Sequence, residues 1–239
     1  MKIAVINGTE KHGVTYRLKE NFLDRFREKA EITEFYLPKD CPAFCSGCTN
    51  CILKGEHTCK EAEYIQKIAA SLLEADLIVM TSPAYVMHTT GSMKALLDHL
   101  AYLWMPHRPA SEMFTKRAVI ITQCLGAGAR SAAKDIKHSL SWWGISYITV
   151  FTGKLMGDIV WEKLSEKKRF ELTKKINRLS QKLYGVNYEK PSRVNAITRI
   201  KFLICRMMQK SLHKNDSEYL DGKYWAEQGW LGKTRPWKI

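Results

Sequence analysis

Five short apolar runs, each separated from the next by enough chain for one helix, constrain this sequence more tightly than any other feature. They are "KIAVIN" (2–7), "ITEFYL" (32–37, ended by Pro38), "DLIVMTS" (76–82, stopped by Pro83), "RAVIITQC" (117–124) and "YITVFTG" (147–153). Between and after them, 15–30, 61–75, 92–104, 129–144 and 165–184 carry apolar residues at helical spacing. Near-continuous apolar strands alternating with helices predict a parallel sheet buried on both faces. Right-handed crossovers then favour a three-layer α/β sandwich, and five parallel strands with this rhythm fit the order 2-1-3-4-5. In such a sheet ligands sit outside the carboxyl ends of the strands, where the order reverses between strands 1 and 3. The loops starting at Gly8, Pro83 and Leu125 are therefore the expected seat of chemistry, and a cysteine-rich loop follows strand 2 on the same edge.

Composition narrows the class further. The 239 residues are 45% hydrophobic and 26% charged, which suits a folded globular chain. No run approaches the roughly 18–20 apolar residues of a membrane span, and "MKIAVING" lacks the long apolar stretch and cleavage site of a secretory leader. A cytoplasmic location is the expectation. The net charge of +14 is spread along the chain, since residues 185–239 hold 11 Lys+Arg against 5 Asp+Glu. A diffuse positive field fits phosphorylated cofactors, acidic redox partners or anionic lipid. With no helix-turn-helix, zinc-finger or RNA-binding signature beside it, no nucleic-acid partner is expected.

The first loop, "NGTEKHGVTYRL" (7–18), joins a glycine, small hydroxyl side chains and a lysine to a helix start. Backbone N–H groups and the helix dipole at such a place favour an anion. A plain turn with Thr15 capping the helix is the alternative. GxGxxG is absent, so a Rossmann dinucleotide site is not supported. In the third loop, "QCLGAGARSA" (123–132), Gly126 and Gly128 allow backbone to approach a planar ligand closely.

These loops resemble those of the flavodoxin-like NADPH-dependent FMN reductases, including the iron–sulfur flavoproteins. The first loop is similar to the family's "GSPRKGNTYRL", and the second, "TSPAYVMHTTGSMKALLDHL" (81–100), to "SPVYWxxMSGxLKxLLDR". The resemblance implies that Thr9, Lys11, Val14, Thr15 and Tyr16 hold the FMN phosphate. It likewise implies that Ser82, Pro83, Ala84, Tyr85, Val86 and Met87 line the flavin, with Gly126 and Gly128 against it. Three departures stand out: Glu10 where proline is usual, Val14 where asparagine is usual, and His99 where arginine is usual. No residue is expected to act as a catalytic acid or base, because the cofactor carries the hydride. His88 and His107 are the histidines nearest a flavin-side loop, both expected to be exposed rather than catalytic.

Five of the seven cysteines fall within residues 41–59. Cys45, Cys48, Cys51 and Cys59 follow the spacing C-x2-C-x2-C-x7-C, which can wrap a cubane iron–sulfur cluster. The iron–sulfur flavoproteins place a [4Fe-4S] cluster on such a motif, whereas similar flavoproteins with "CTGCFxCWxKTPGxC" have the spacing without an established cluster. Redox-active or structural thiols and a zinc site remain the other readings. Cys41 lies outside the motif, and Cys124 and Cys205 are expected to be packed thiols.

The resemblance implies an FMN-dependent oxidoreductase occupying residues 1–184, passing electrons from NAD(P)H or another donor to a small acceptor such as a quinone, nitro compound or metal species. An electron carrier exchanging electrons with another redox protein is the competing reading, and a flavin-free binding protein a third. Residues 185–239 form a basic, aromatic-rich helical extension. Its segment 192–215 puts Ile197, Ile200, Ile204, Met207, Met208 and Leu212 on one face. That face is expected to pack on the domain or a second subunit, with a membrane surface as the lesser option. The aromatic residues from Tyr224 to Trp237 are expected to cover a subunit interface or the flavin pocket, in at least a homodimer.

Overall fold

The computed structural model describes residues 1–155 and 159–238. Its sheet is all parallel, in the order β2-β1-β3-β4-β5, as the strand rhythm requires. The strands are β1 Lys2–Asn7, β2 Glu31–Tyr36, β3 Leu77–Pro83, β4 Arg117–Leu125 and β5 Tyr147–Leu155. Helices α1 Val14–Leu23, α2 Asn50–Leu53, α3 Ala62–Glu74, α4 Gly91–His99, α5 Ala129–Trp142, α6 Glu166–Tyr184, α7 Ala196–Asn215 and α8 Leu220–Glu227 complete the chain.

Because strand side chains alternate in direction, each inner strand feeds two cores. Ala4, Ile6, Ile78, Met80 and Ile120 meet Ile68 and Leu72 of α3, Leu96 of α4, and Ile136 and Leu140 of α5. Ile3, Val5, Val79, Val119 and Ile121 meet Leu18 and Phe22 of α1 and Leu172 and Ile176 of α6. Each such fully buried side chain contributes about 1.5–3 kcal/mol. Asn7 ties three strands at their carboxyl ends: Nδ2 donates to Glu34 (3.1 Å) and to the Phe35 carbonyl (3.2 Å), while Oδ1 accepts from Thr81 (3.3 Å).

Two helices stop earlier than their periodicity predicts. After Leu23 the chain tightens, Phe26 N–H bonding the Leu23 carbonyl at 2.7 Å, which tucks Phe26 edge-on against Tyr184. After His99 a short 3-10 turn, Ala101–Leu103, lets Leu100, Leu103 and Met105 all enter the interior.

The extension departs most from expectation. Helix α7 buries Thr198, Phe202, Cys205 and Gln209, while Ile197, Ile200, Ile204, Met207, Met208 and Leu212, the face expected to pack, are exposed. The aromatic tail does not cover the sheet's carboxyl edge either. Trp225 and Trp230 form a third core with Met105, Phe114, Val194, Phe202 and Cys205. Phe202 stacks on Trp225 at 4.9 Å, and the Trp225 indole donates to the His107 carbonyl at 2.7 Å. A large ring with one polar edge is best buried this way, so the tail fills its own chain. Among the described residues no helix is long and apolar enough to cross a membrane.

Candidate functional site

The loop after β1 is clamped from below. Gly8 N–H bonds the Thr81 carbonyl at 2.7 Å, and its own carbonyl accepts from Thr90 (2.7 Å) and Ser92 (3.0 Å). A Cβ at Gly8 would sit 2.9 Å from both Thr81 O and Thr90 Oγ1, so only glycine fits. Glu10, the departure from proline, accepts from Lys39 N–H at 3.0 Å and ties this loop to the turn after β2. Helix α1 then starts behind Gly13 with no side-chain cap. The first N–H groups of a helix have no intrahelical partner, and the buried hydroxyl of Thr15 has no hydrogen-bond partner among the described residues.

The second loop is a tight turn. Tyr85 and His88 exchange backbone hydrogen bonds of 2.9 and 3.0 Å, while Val86 (φ 48°) and Met87 (φ 71°) are left-handed. A β-branched residue rarely adopts that conformation, so the surroundings must hold it. Asp135 of α5 accepts from Thr89 N–H and from His88 Nδ1, each at 3.1 Å. Ser82 accepts from Thr89 Oγ1 (2.9 Å) and Thr90 N–H (3.1 Å), and Ala84 N–H bonds the Gln123 carbonyl at 2.7 Å. The third loop meets the turn closely: a Cβ on Gly128 (φ 102°) would lie 2.8 Å from Met87 Cα.

These loops enclose a cleft of about 200 Å³ lined by Thr9, Lys11, Val14 and Thr15 from the first loop, Pro83, Ala84 and Tyr85 from the second, and Gln123, Leu125 and Ile159. A neighbouring hollow of about 450 Å³ is lined by Met87, Gly126, Gly128, Arg130 and Lys154. Larger hollows, about 550 and 620 Å³, lie at the other end of the strands against Asp76, Lys116 and Glu189. Volume alone would choose those. They lack the strand-end loops and helix-start N–H groups that the carboxyl edge supplies, and there Lys116 is spent on the Leu73 and Ala75 carbonyls, both at 2.6 Å.

The structure thus gathers seven of the expected flavin residues at one cleft, puts Met87, Gly126 and Gly128 in the neighbouring hollow, and sets three apart from both. Tyr16 stacks on His12 at 4.0 Å, outside the lining. Ser82 holds the second loop from beneath, and Val86 is 95% exposed at the turn's tip. Gln123 is the addition: its buried Oε1 has no partner among the described residues. A polar residue closing an apolar strand at the carboxyl edge was a readable signal, whereas nothing in the sequence marked Ile159.

A cradle with an anion-ready helix start, a lysine, a buried hydroxyl free to donate and a buried amide oxygen free to accept fits a phosphorylated planar cofactor. The fold and cleft define a flavodoxin-like oxidoreductase. The sequence profile of the NADPH-dependent FMN reductase family matches residues 1–161, and the chain belongs to that family. It is an NAD(P)H-dependent FMN oxidoreductase with a small-molecule electron donor and acceptor. An iron–sulfur flavoprotein of Archaeoglobus fulgidus is 22% identical over 232 residues, 96% of this chain and 99% of its own length. One from Methanocaldococcus jannaschii is 29% identical over 99 residues, 41% of this chain and 50% of its own. Among solved structures, an azoreductase of Bacillus anthracis superposes with a TM-score of 0.60 at 15% identity, over 76% of this chain and 99% of that one. An FMN-dependent NADH-azoreductase of the same organism, in complex with FMN, gives 0.59 at 14% identity, over 77% and 100%.

The cysteine loop stands beside this site. Burial raises the Cys51 thiol's pKa, and the facing thiols of Cys59, Cys45 and Cys48 raise it further, against the pull of Arg108. The exposed Cys48 thiol is lowered, chiefly by the Asn50 N–H. Among the described residues no three His, Cys, Asp or Glu side chains close on a single ion, so the thiols stand wider than a tetrahedral zinc site requires. The C-x2-C-x2-C-x7-C spacing of the four thiols fits the donor set of a cubane cluster. Cys59 Sγ lies 3.7 Å from His99 Nδ1, whose Nε2 is 3.1 Å from the Ala43 carbonyl, so His99 turns toward this loop. His107 is half-buried at 2.8 Å from Asp221, away from the flavin side and not exposed as expected. Cys41, Cys124 and Cys205 are packed, and burial pushes Cys41 and Cys205 up to about 11.

Proposed function

We propose that Thr9, Lys11, the α1 N–H groups at Val14 and Tyr16, and the Thr15 hydroxyl hold the FMN phosphate, while Pro83, Ala84, Tyr85, Met87, Gln123, Gly126 and Gly128 seat the ring. The unpartnered Thr15 hydroxyl behind an uncapped helix start carries this reading. Bound FMN supplies hydride and electron transfer. The chain's part is positional: Gly8 and Gly128 let backbone approach, Tyr85 offers an aromatic wall, and the hydrogen bonds that Ser82 and Asp135 accept from residues 88–90 fix the turn that meets the ring.

The unit holding the cofactor is residues 1–184, with 185–239 clasped to it. The acceptor class is a quinone, nitro compound or metal species reached from the open side of the cleft. Phe44, Leu53, Tyr85, Val86 and Leu125 expose apolar side chains on this edge, which supports a homodimer closing over it. A cytoplasmic location, where the thiols stay reduced, completes the reading.

One observation favours a second reading, an iron–sulfur flavoprotein with a [4Fe-4S] cluster on Cys45, Cys48, Cys51 and Cys59: all four are free thiols, none of them fully buried, at C-x2-C-x2-C-x7-C spacing on one loop. The test is an absorption spectrum with iron and sulfide analysis of protein purified without oxygen. Flavin with about four irons per chain supports the cluster, and flavin without iron leaves a reductase with free thiols. Turnover of NADPH with a soluble quinone supports the enzyme with a small acceptor, and reduction only through a ferredoxin-like protein supports the carrier. Protein that takes up no FMN overturns both.

A further inference from the structure

Helix α7 is apolar on two opposite faces. Its inner face sends Thr198, Phe202, Cys205 and Gln209 into the protein. Its outer pole carries Ile197, Ile200, Ile204 and Met207, exposed by 66%, 57%, 61% and 70%. Spacings of three and four place these on one continuous stripe, with Leu203 and Met208 along its margins. A helix apolar all round is normally buried all round, and an ordered apolar stripe in solvent marks a surface made to meet something.

Charge decides what it meets. Residues 196–215 contain Arg199, Lys201, Arg206, Lys210, His213 and Lys214 and no acid; the nearest acids along the chain are Glu189 and Asp216. Two of the cations turn inward, Lys201 to Ser141 Oγ (2.7 Å) and Arg206 to the Gly232 carbonyl (3.1 Å). Arg193, Lys210 and Lys214 remain exposed at the ends and flank of the stripe. Two copies of α7 laid together would bring only positive charges alongside the seam, on chains that each carry +14. An anionic surface with an apolar interior complements both features.

We propose that α7 docks this protein on an anionic lipid surface. The stripe enters the boundary between headgroups and acyl chains, and Arg193, Lys210 and Lys214 meet lipid phosphates. Binding of this kind is reversible, and it weakens with salt because the flanking charges are solvent-exposed.

The test floats the full flavin-loaded chain with vesicles of phosphatidylcholine alone or of equal parts phosphatidylcholine and phosphatidylglycerol. The expected result is binding to the anionic vesicles only, lost near 1 M salt, where the screening length is about 3 Å. Ile204→Asp should cut binding by at least roughly tenfold, and Lys210→Glu with Lys214→Glu by a similar factor. Both sites are exposed, so unchanged flavin absorbance and melting temperature would show that the variants fold. Absence of binding at either composition overturns the proposal, as does binding that Ile204→Asp leaves intact. A dimer that Ile204→Asp converts to monomer would also overturn it, by assigning the stripe to a second copy.

Discussion

Thr15 of α1 and Gln123 of β4 line one cleft at the carboxyl edge of the sheet, each with a buried oxygen that no described protein group satisfies. Buried polar atoms normally have partners, so both are expected to gain one from the cofactor. Thr15→Val should therefore weaken FMN binding by the value of a hydrogen bond to a charged group, about 1.5–3 kcal/mol or roughly ten- to hundredfold in Kd. The flavin-free protein should lose no thermal stability. Fluorescence titration and a melt of the flavin-free protein check the two halves, and a large fall in its melting temperature would assign the hydroxyl a structural role.

Gly128→Ala should disturb the same site by another route. The added Cβ meets Met87 Cα at 2.8 Å on a residue at φ 102°, which strains two loops at once. A loss of about 1–3 kcal/mol is expected, with weaker flavin binding. Gly126→Ala, at φ 92° with nothing within 4 Å of the new Cβ, should suffer only the conformational part. Equal effects in the two variants would contradict the contact.

Lys19 and Glu34 give the fold a pH dependence. Burial alone would lower the Lys19 pKa, but hydrogen bonds and charge from Glu20 and Glu34 outweigh it and leave it raised. Burial likewise works against the Glu34 carboxylate, yet Lys19 at 2.6 Å, with Asn7 and Tyr36, holds its pKa below the usual range. A lowered carboxylate stabilises above its unfolded value near 4.5 and loses that contribution as pH falls through the folded value. A raised lysine stabilises below its unfolded value near 10.5 and loses it as pH rises through the folded one. Between those limits the pair is intact. Replacing Glu34→Gln should flatten the acid side of the stability–pH curve, measured by urea unfolding at a series of pH values.

The sheet was legible because burial on both faces forces near-continuous apolar strands, and only helices can connect parallel neighbours. The three strand-end loops followed from that topology. Tyr16 and Val86 were harder to place: a residue inside a motif inherits the motif's ligand by resemblance, yet its direction is set by neighbours such as His12 that lie outside the motif. Helix α7 misled for a related reason. Its stripe of isoleucine and methionine announces that something apolar covers it, but Phe202 and Cys205 on the opposite face had a claim of their own, and the aromatic tail met that face instead. Arg108 carried no signal, since its partners are two carbonyls of the short helix α2, Glu56 and an aspartate far along the chain.

Arg108 and Asp221 should be the most sensitive pair outside the core. Arg108 donates to Asp221 and to the Cys51 carbonyl, with Ile52 O at 3.1 Å and Glu56 at 3.2 Å. The two side chains are 8% and 0% exposed. Asp221→Ala leaves that guanidinium short of a counter-charge, at a cost of about 3–5 kcal/mol. Urea unfolding should show the loss, and Cys51 should react faster with iodoacetamide. A variant of wild-type stability would show that water replaces the carboxylate.

That ion pair also sets an order of assembly. Asp221 leaves the ribosome after every strand of the sheet and after the cysteine loop itself, and domains fold from their amino ends as synthesis proceeds. The loop is therefore made before its clasp, and the arrival of α8 with Asp221 is the event that ties it down.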